Sequence, residues 1–392
     1  MKQTLLIITA FLFITSTVFT QSKVNVNSLK EYGGKVFKVD DDEPYTGRVF
    51  DLSESTGKKT LQGQYKNGLK TGKWTSWYWN GKKELEVAYK DGKEEGKRTE
   101  WYFRNGQKKF DSNYKDGKLN GLWTRWHENG QKNHEMTYKD GKKDGLYTHW
   151  RENGQKYSEM TYKDGEEDGL ETGWRENGQK QYERNWKDGE KDGKWTQWNE
   201  NGQKRAETNY KNGLSISWYE NGQMSSKATS KLGKYYGLVT SWYENGQKEY
   251  ERNWKDGEKD GKWTYWYENG QKSSETTYKD GEQDGKWTRW RDNGQKASEG
   301  IFKDGHKDGE WTTWYENGKK EREGTYKNGK KDGLWTEWRE NGQKWKEEIY
   351  KDGKRDGVWT LWYDNGQKNS ERTYKDGKLI SGKKWDGEGN LW

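Results

Sequence analysis

Tyr278 to Ile301 reads YKDGEQDGKWTRWRDNGQKASEGI, and the fold turns on how that stretch is parsed. Lys286 to Arg291 (KWTRWR) and Lys296 to Phe302 (KASEGIF) are strand-like runs rich in aromatic and β-branched residues. Asn293-Gly294 lies between them and predicts a tight type I′ turn, which needs positive φ at both central residues. Lys-Asp-Gly-x-x-Asp-Gly predicts a looser turn whose two glycines are free to be left-handed. Gly or Asn-Gly interrupts every run before three helical turns could form, so helices are not expected. Each unit is therefore one β-hairpin.

The unit repeats. Asn-Gly recurs from Asn80 to Asn365 every 24 residues, except for an interval of 25 before Asn105 and one of 20 before Asn221. The short interval lacks the x-x-Asp-Gly step, because Asn212-Gly213 runs straight into LSISW. Residues 21–43 read as a lead-in. A degenerate unit begins at Pro44, with Val49 and Leu52 in the slots of the tryptophans, as suits a terminal cap. The closing KKWDGEGNLW reads as a half-unit. The repeat array thus spans residues 44–392. The expected architecture is all-β: an elongated, strongly twisted, single-layer array of about fourteen hairpins. With strands about 4.8 Å apart it would be on the order of 130 Å long.

Composition fits a thin layer. Hydrophobic residues make up 27% of the chain and charged residues 35%, proportions typical of disordered segments. The 27 Trp, 26 Tyr and 8 Phe supply the missing apolar area in a few large rings. The 73 basic and 65 acidic residues alternate within every segment, so no basic face for nucleic acid is expected. With no Cys there are neither disulfides nor thiolate metal sites. Residues 1–20 stand apart: Lys2 precedes an apolar run from Leu5 to Phe19, with Val18 and Thr20 before a possible cut at Gln21. That reads as a signal peptide, and the expected location is the periplasm, the outer surface or the medium.

Tyr278, Gly281, Gly285 and Trp287, like Tyr350, Gly353, Gly357 and Trp359, form Y-x-x-G-x-x-x-G-x-W ahead of the Asn-Gly hairpin. This pattern resembles the bacterial variant of the MORN repeat, over essentially the whole chain after residue 20. The resemblance implies an extended β-structure used for protein or lipid association. Many bacterial members carry an antitoxin label. A phosphoinositide kinase label also circulates in the family, but no kinase domain fits in this chain.

Slots within the repeat can be compared with one another. The second Trp is never replaced from Trp77 to Trp362, and the aromatic before Lys-Asp-Gly is nearly as constant. The first Trp slot accepts Arg98, Tyr147, Glu171, Ser215 and Val239; the slot after the second Trp mixes Tyr with Arg, His and Asn. The constant slots are therefore expected to pack, and the mixed ones to face water or a partner. Trp263, Tyr267, Trp287, Arg291, Trp311, Tyr315, Trp335, Arg339, Trp359 and Tyr363 become the candidate partner-binding ribbon. On this reading Trp311→Ala would weaken binding and Trp314→Ala would lower stability. The competing reading packs the mixed rings too, on the other side of the sheet.

No enzymatic constellation stands out from the repeat. His127, His134, His149 and His306 lack metal-ligand spacing and read as surface residues. Glu268 and Glu316 belong to the turn grammar rather than to a carboxylate pair. Asp256 with Asp260, or Asp280 with Asp284, could ligate Ca²⁺, but turn formation alone explains Asp beside Gly. No cofactor is expected. The expectation is a non-enzymatic exported scaffold whose partner is a protein or an envelope polysaccharide; membrane contact has less support. A carbohydrate-binding module and antitoxin-like neutralisation of a partner protein are the alternatives.

Overall fold

A computed structural model describes residues 23–392. The expected signal peptide, residues 1–20, lies outside the described residues. The chain is all-β and built from repeated hairpins, as expected; the one helical element among the described residues is the 3₁₀ turn Val26–Ser28. It divides into two compact units, Met1–Gly169 and Leu170–Trp392.

One repeat of the second unit shows how the sequence makes the hairpin. Lys272–Lys279 turns through Asp280 and Gly281 (φ 49° and 90°) into Glu282–Gln283, with Lys279 paired to Glu282. Two successive residues at positive φ make this the type I′ turn, whose twist matches that of the strands. The chain bulges at Asp284, whose N–H reaches the Thr277 carbonyl at 3.0 Å, and at Gly285 (φ 108°). It then continues as Gly285–Trp290.

The Asn-Gly corner differs from expectation. Only Gly294 (φ 81°) is left-handed there, and its N–H bonds the Arg291 carbonyl at 3.0 Å. Arg291 N–H reaches the Gln295 carbonyl at 2.8 Å, and Trp290 pairs with Lys296 across a register shift. This is a three-residue loop: a type I turn followed by a left-handed glycine bulge. Asn293 contributes through its side chain, whose Oδ1 accepts the Gln295 N–H at 3.0 Å. The tight turn therefore sits at Asp-Gly and the wider one at Asn-Gly, the reverse of the sequence-based assignment.

In the first unit the lead-in covers the start of the array. Val24–Asn25 runs parallel to Gly47–Leu52, and Leu29–Tyr32 pairs with Lys35–Lys38. Tyr45, Val49, Tyr65 and Trp74 form a buried cluster there, with Val24, Val26, Leu29 and Val36 packed against it. Val49 occupies the first-tryptophan slot, fully buried, while Leu52 is exposed. In the second unit, Lys180–Lys187, Glu190–Trp198, Lys204–Asn209, Leu214–Trp218 and Met224–Lys231 pair antiparallel in succession. The 20-residue repeat connects Asn209 directly to Leu214 through a loop over 210–213, omitting the type I′ step.

Candidate functional site

Alternation along each strand gives the hairpins two unlike faces. One carries the first-slot residue, the aromatic before Lys-Asp-Gly, and the slot lying between the two tryptophans. The other carries the second tryptophan, a threonine, and a Lys-Glu-Lys set.

The first face holds the packed stripe. Trp263, Trp311, Trp335 and Trp359 are 4%, 7%, 3% and 9% exposed, and Trp287 is half-buried. Trp311 stacks on Trp287 at 5.3 Å and meets Phe302 and Tyr326 edge-on at 5.3 and 5.8 Å. Its indole N–H donates to the Ile301 carbonyl at 3.1 Å, a bond repeated by Trp263 to Asn253, Trp335 to Thr325 and Trp359 to Ile349. Lys307 lies 4.0 Å from the Trp311 ring centroid and Lys331 4.3 Å from that of Trp335, closing each ring with a cation.

This corrects the expectation for Trp263, Trp287, Trp311, Trp335 and Trp359: the variable slot is core. In two places a glycine across the strand leaves room for the ring of the next hairpin. Gly300 faces Trp287, and a Cβ there would stand 2.2 Å from the Trp311 ring; Gly324, opposite Trp311, has the same relation to Trp335 at 2.1 Å. Where Val239 replaces the Trp, Arg252 lies opposite, its guanidinium 3.7 Å from the Tyr250 ring centroid and 5.1 Å from that of Tyr265. In the first unit Trp123 and Tyr147 face the buried Met136 and Met160.

Tyr267, Arg291, Tyr315, Arg339 and Tyr363 are not free contact residues either. The hydroxyls of Tyr267, Tyr315 and Tyr363 donate to the carbonyls of Trp290, Trp338 and Trp385 at 2.9, 2.8 and 3.0 Å. Arg291 and Arg339 donate to those of Trp314 and Trp362 at 2.9 and 3.1 Å. Asn269 adds a parallel stitch to the Asp292 carbonyl at 2.7 Å. The slot accepts Tyr or Arg because both project a donor far enough to reach the next hairpin.

The second tryptophans are half-buried on the opposite face, most of them beneath a lysine from the hairpin before: Lys272 over Trp290 at 5.6 Å and Lys296 over Trp314 at 5.8 Å. Lys286 and Lys296 flank Glu299 at 3.1 and 2.7 Å. Burial raises the Glu299 pKa, but the hydrogen bonds from Lys296 and Lys286 outweigh it and hold the carboxyl below its usual range. The second tryptophan recurs throughout this face and the Lys296–Glu299 pair in most repeats, whereas the Lys286 slot changes and carries an exposed leucine as Leu122, Leu146, Leu170, Leu238 and Leu334.

One row on the stripe's face is not uniform. Across the type I′ hairpins, the slot between the tryptophans meets its cross-strand partner as Leu85–Glu100, Phe110–Arg125 and His134–His149 in the first unit. In the second unit the pairs are Tyr250–Tyr265, Ser274–Arg289, Ser298–Thr313, Arg322–Glu337 and Lys346–Leu361. Arg125, Arg289 and Arg322 are exposed. Near its end the row widens into a groove of about 540 Å³, lined by Arg339, Trp345, Leu361, Tyr363 and Asn369 among others. Sequence reasoning passed over this row although its signal was present: it is one of several slots that change residue type between repeats.

The histidines also meet. His134 and His149 stack at 4.2 Å, and the Tyr147 hydroxyl sits 2.7 Å from His134 Nδ1. Burial, then the neighbouring His149 and Arg125, lowers the His134 pKa to about 4. Among the described residues no three His, Cys, Asp or Glu side chains converge on a metal position.

With this geometry in place, ten stretches of the chain match the MORN repeat variant: residues 119–140, 143–164, 191–212, 212–231, 235–256, 259–280, 283–304, 307–328, 331–352 and 355–376. The chain belongs to the MORN repeat variant family. Members of this family are repeat scaffolds associated with protein or membrane binding. No curated protein matches. Among solved structures, the chain is similar to the Photorhabdus luminescens Tc holotoxin pore with the TccC3-D651A mutation, at 13% identity and a TM-score of 0.17. That match covers 91% of this chain and 22% of the other. The TcdB2-TccC3 crystal structure matches at 12% identity and a TM-score of 0.17, covering 91% of this chain and 23% of the other. The MORN array thus spans less than a quarter of those chains' length.

Proposed function

We propose that this MORN array is an exported, non-enzymatic scaffold that binds a protein partner along the variable row beside its tryptophan stripe. One observation supports this above the rest. Along this row Tyr265, Arg289 and Arg322 differ from repeat to repeat, Arg289 and Arg322 are exposed, and Trp345 flanks the groove at its end. Aromatic and arginine side chains on a rigid backing are the groups that dominate protein interfaces. A signal peptide over residues 1–20 would carry such a scaffold to the envelope.

Capture from envelope extract with a tagged chain tests the reading. Serine already occupies these slots elsewhere, as Ser241, Ser274 and Ser298, so Tyr265→Ser, Arg289→Ser and Arg322→Ser together should leave the melting temperature within a few degrees. The same variant should lose the captured protein. An unchanged captured set refutes the row as the contact surface. Envelope polysaccharide is the second reading, favoured by Trp345 beside Arg339 in the groove, with the guanidinium 5.9 Å from the ring centroid. Retention on immobilised polysaccharide, abolished by Trp345→Ala, would replace protein with glycan as the ligand.

A further inference from the structure

The slot after the second tryptophan decides more than the bond it makes itself. In the second unit, wherever that slot holds tyrosine, the asparagine two positions on donates its amide to the following unit. Asn221, Asn245, Asn269, Asn317 and Asn365 all reach a carbonyl there, at 2.7 to 2.9 Å. Behind Arg175, Arg291 and Arg339 that bond is absent among the described residues. Asn177, Asn293 and Asn341 turn instead to the side chains of Gln179, Gln295 and Gln343, at 3.0, 3.3 and 3.1 Å. Asn201, behind Asn199, keeps the stitch, to Glu220 at 3.0 Å, so arginine rather than the lack of tyrosine abolishes it. Arg175 and Arg339 also draw in the carboxylates of Glu200 and Asp364, at 3.7 and 2.8 Å. Those are the residues whose carbonyls stand where the stitch would land.

Each of these asparagines precedes a glycine, which lacks the Cβ that would hinder attack on the side-chain amide by the next main-chain nitrogen. In the folded corner that nitrogen is occupied. The N–H groups of Gly178, Gly294 and Gly342 donate to the carbonyls of Arg175, Arg291 and Arg339 at 3.1, 3.0 and 2.8 Å. The corner must therefore open before it reacts. A stitched amide has a further bond to break on the way, to the main chain of the next hairpin, and the amides behind arginine do not.

We propose that Asn177, Asn293 and Asn341 are sites of spontaneous deamidation, selected among the Asn-Gly corners by the arginine two residues before each. The glycine nitrogen attacks Cγ of the asparagine and passes its proton through water to the departing amide. The Cγ–Nδ2 bond breaks and ammonia leaves. Water then opens the five-membered imide at either carbonyl, giving aspartate or isoaspartate, with nothing oxidised or reduced. Every event adds a negative charge at a wide turn, whatever binds along the variable row.

Ageing the full chain at mildly alkaline pH, followed by peptide mapping that separates aspartate from isoaspartate by mass spectrometry and chromatography, reads each corner by itself. Asn177, Asn293 and Asn341 should react about two- to tenfold faster than Asn245, Asn269 and Asn317, the range set by one main-chain hydrogen bond. In urea these rates should converge, because glycine follows every one of them. Arg291→Tyr should slow Asn293 to the rate of Asn269, and Tyr267→Arg should quicken Asn269; the slot holds both residue types elsewhere, so the fold is kept. Equal rates in the folded chain overturn the proposal. So does a gap that persists undiminished in urea, or an Asn293 rate unmoved by Arg291→Tyr.

Discussion

At the scale of single residues, the array is governed by what can stand between two tryptophans. Gly324 lies opposite Trp311, with the Trp335 ring over it, and its φ is not one that excludes other residues. An alanine there would be acceptable to the backbone and refused by the ring, which its own hydrogen bond to Thr325 holds in place. Gly324→Ala is therefore expected to cost about 1–3 kcal/mol. Gly382→Ala is the control, because its Cβ would meet nothing closer than 3.6 Å. Urea denaturation of both variants checks this, and equal midpoints would mean that the rings have room to move. The same logic explains why constancy misled the reading of the slots. Trp290 is invariant in type yet only half-buried under Lys272, whereas the Val239 slot varies and is buried opposite Arg252. Burial of a slot depends on its cross-strand partner, and the partner is unknown until the register is known.

At the scale of the hairpin, the strands and the existence of two turns per repeat were legible from spacing alone. The turn types were not. Asn-Gly and Asp-Gly both suit a type I′ turn; the choice is made by loop length, which the register shift beside Trp290 and the Arg291–Gln295 bond determine. Register also brings His134 onto His149 across an Asp-Gly turn, fifteen positions apart in a sequence where neither signals a pair. An unfolded chain takes up a proton on this imidazole near its ordinary value of 6.5, the folded hairpin only near about 4. The unfolded state thus binds more protons between those values, so this contribution to stability is intact above pH 6.5 and lost as the pH falls toward 4. His134→Gln should flatten the decline of the first unit's melting temperature over that window. An identical decline in the variant would show that His134 is not strained by its neighbours.

At the scale of the molecule, a MORN array is stabilised repeat by repeat, each hairpin leaning on the next through rings, carbonyl stitches and lysine-capped tryptophans. That leaves the row between the tryptophans free to vary at little cost to folding, and the proposed partner contact occupies it. The sequence announced the family and the strand pattern because a strict period repeats its evidence many times over. It concealed which face is which, because both faces carry tryptophan. The most direct test is therefore to compare Trp311→Ala with Trp314→Ala by denaturation and amide hydrogen exchange. Removing Trp311 should cost about 3–5 kcal/mol and strip protection from Gly309–Trp314 and Lys320–Lys327. Removing Trp314 should cost less than half as much. If Trp314→Ala proves the more damaging, or Trp311→Ala leaves protection intact, the packed stripe lies on the other face and the proposed contact row moves with it.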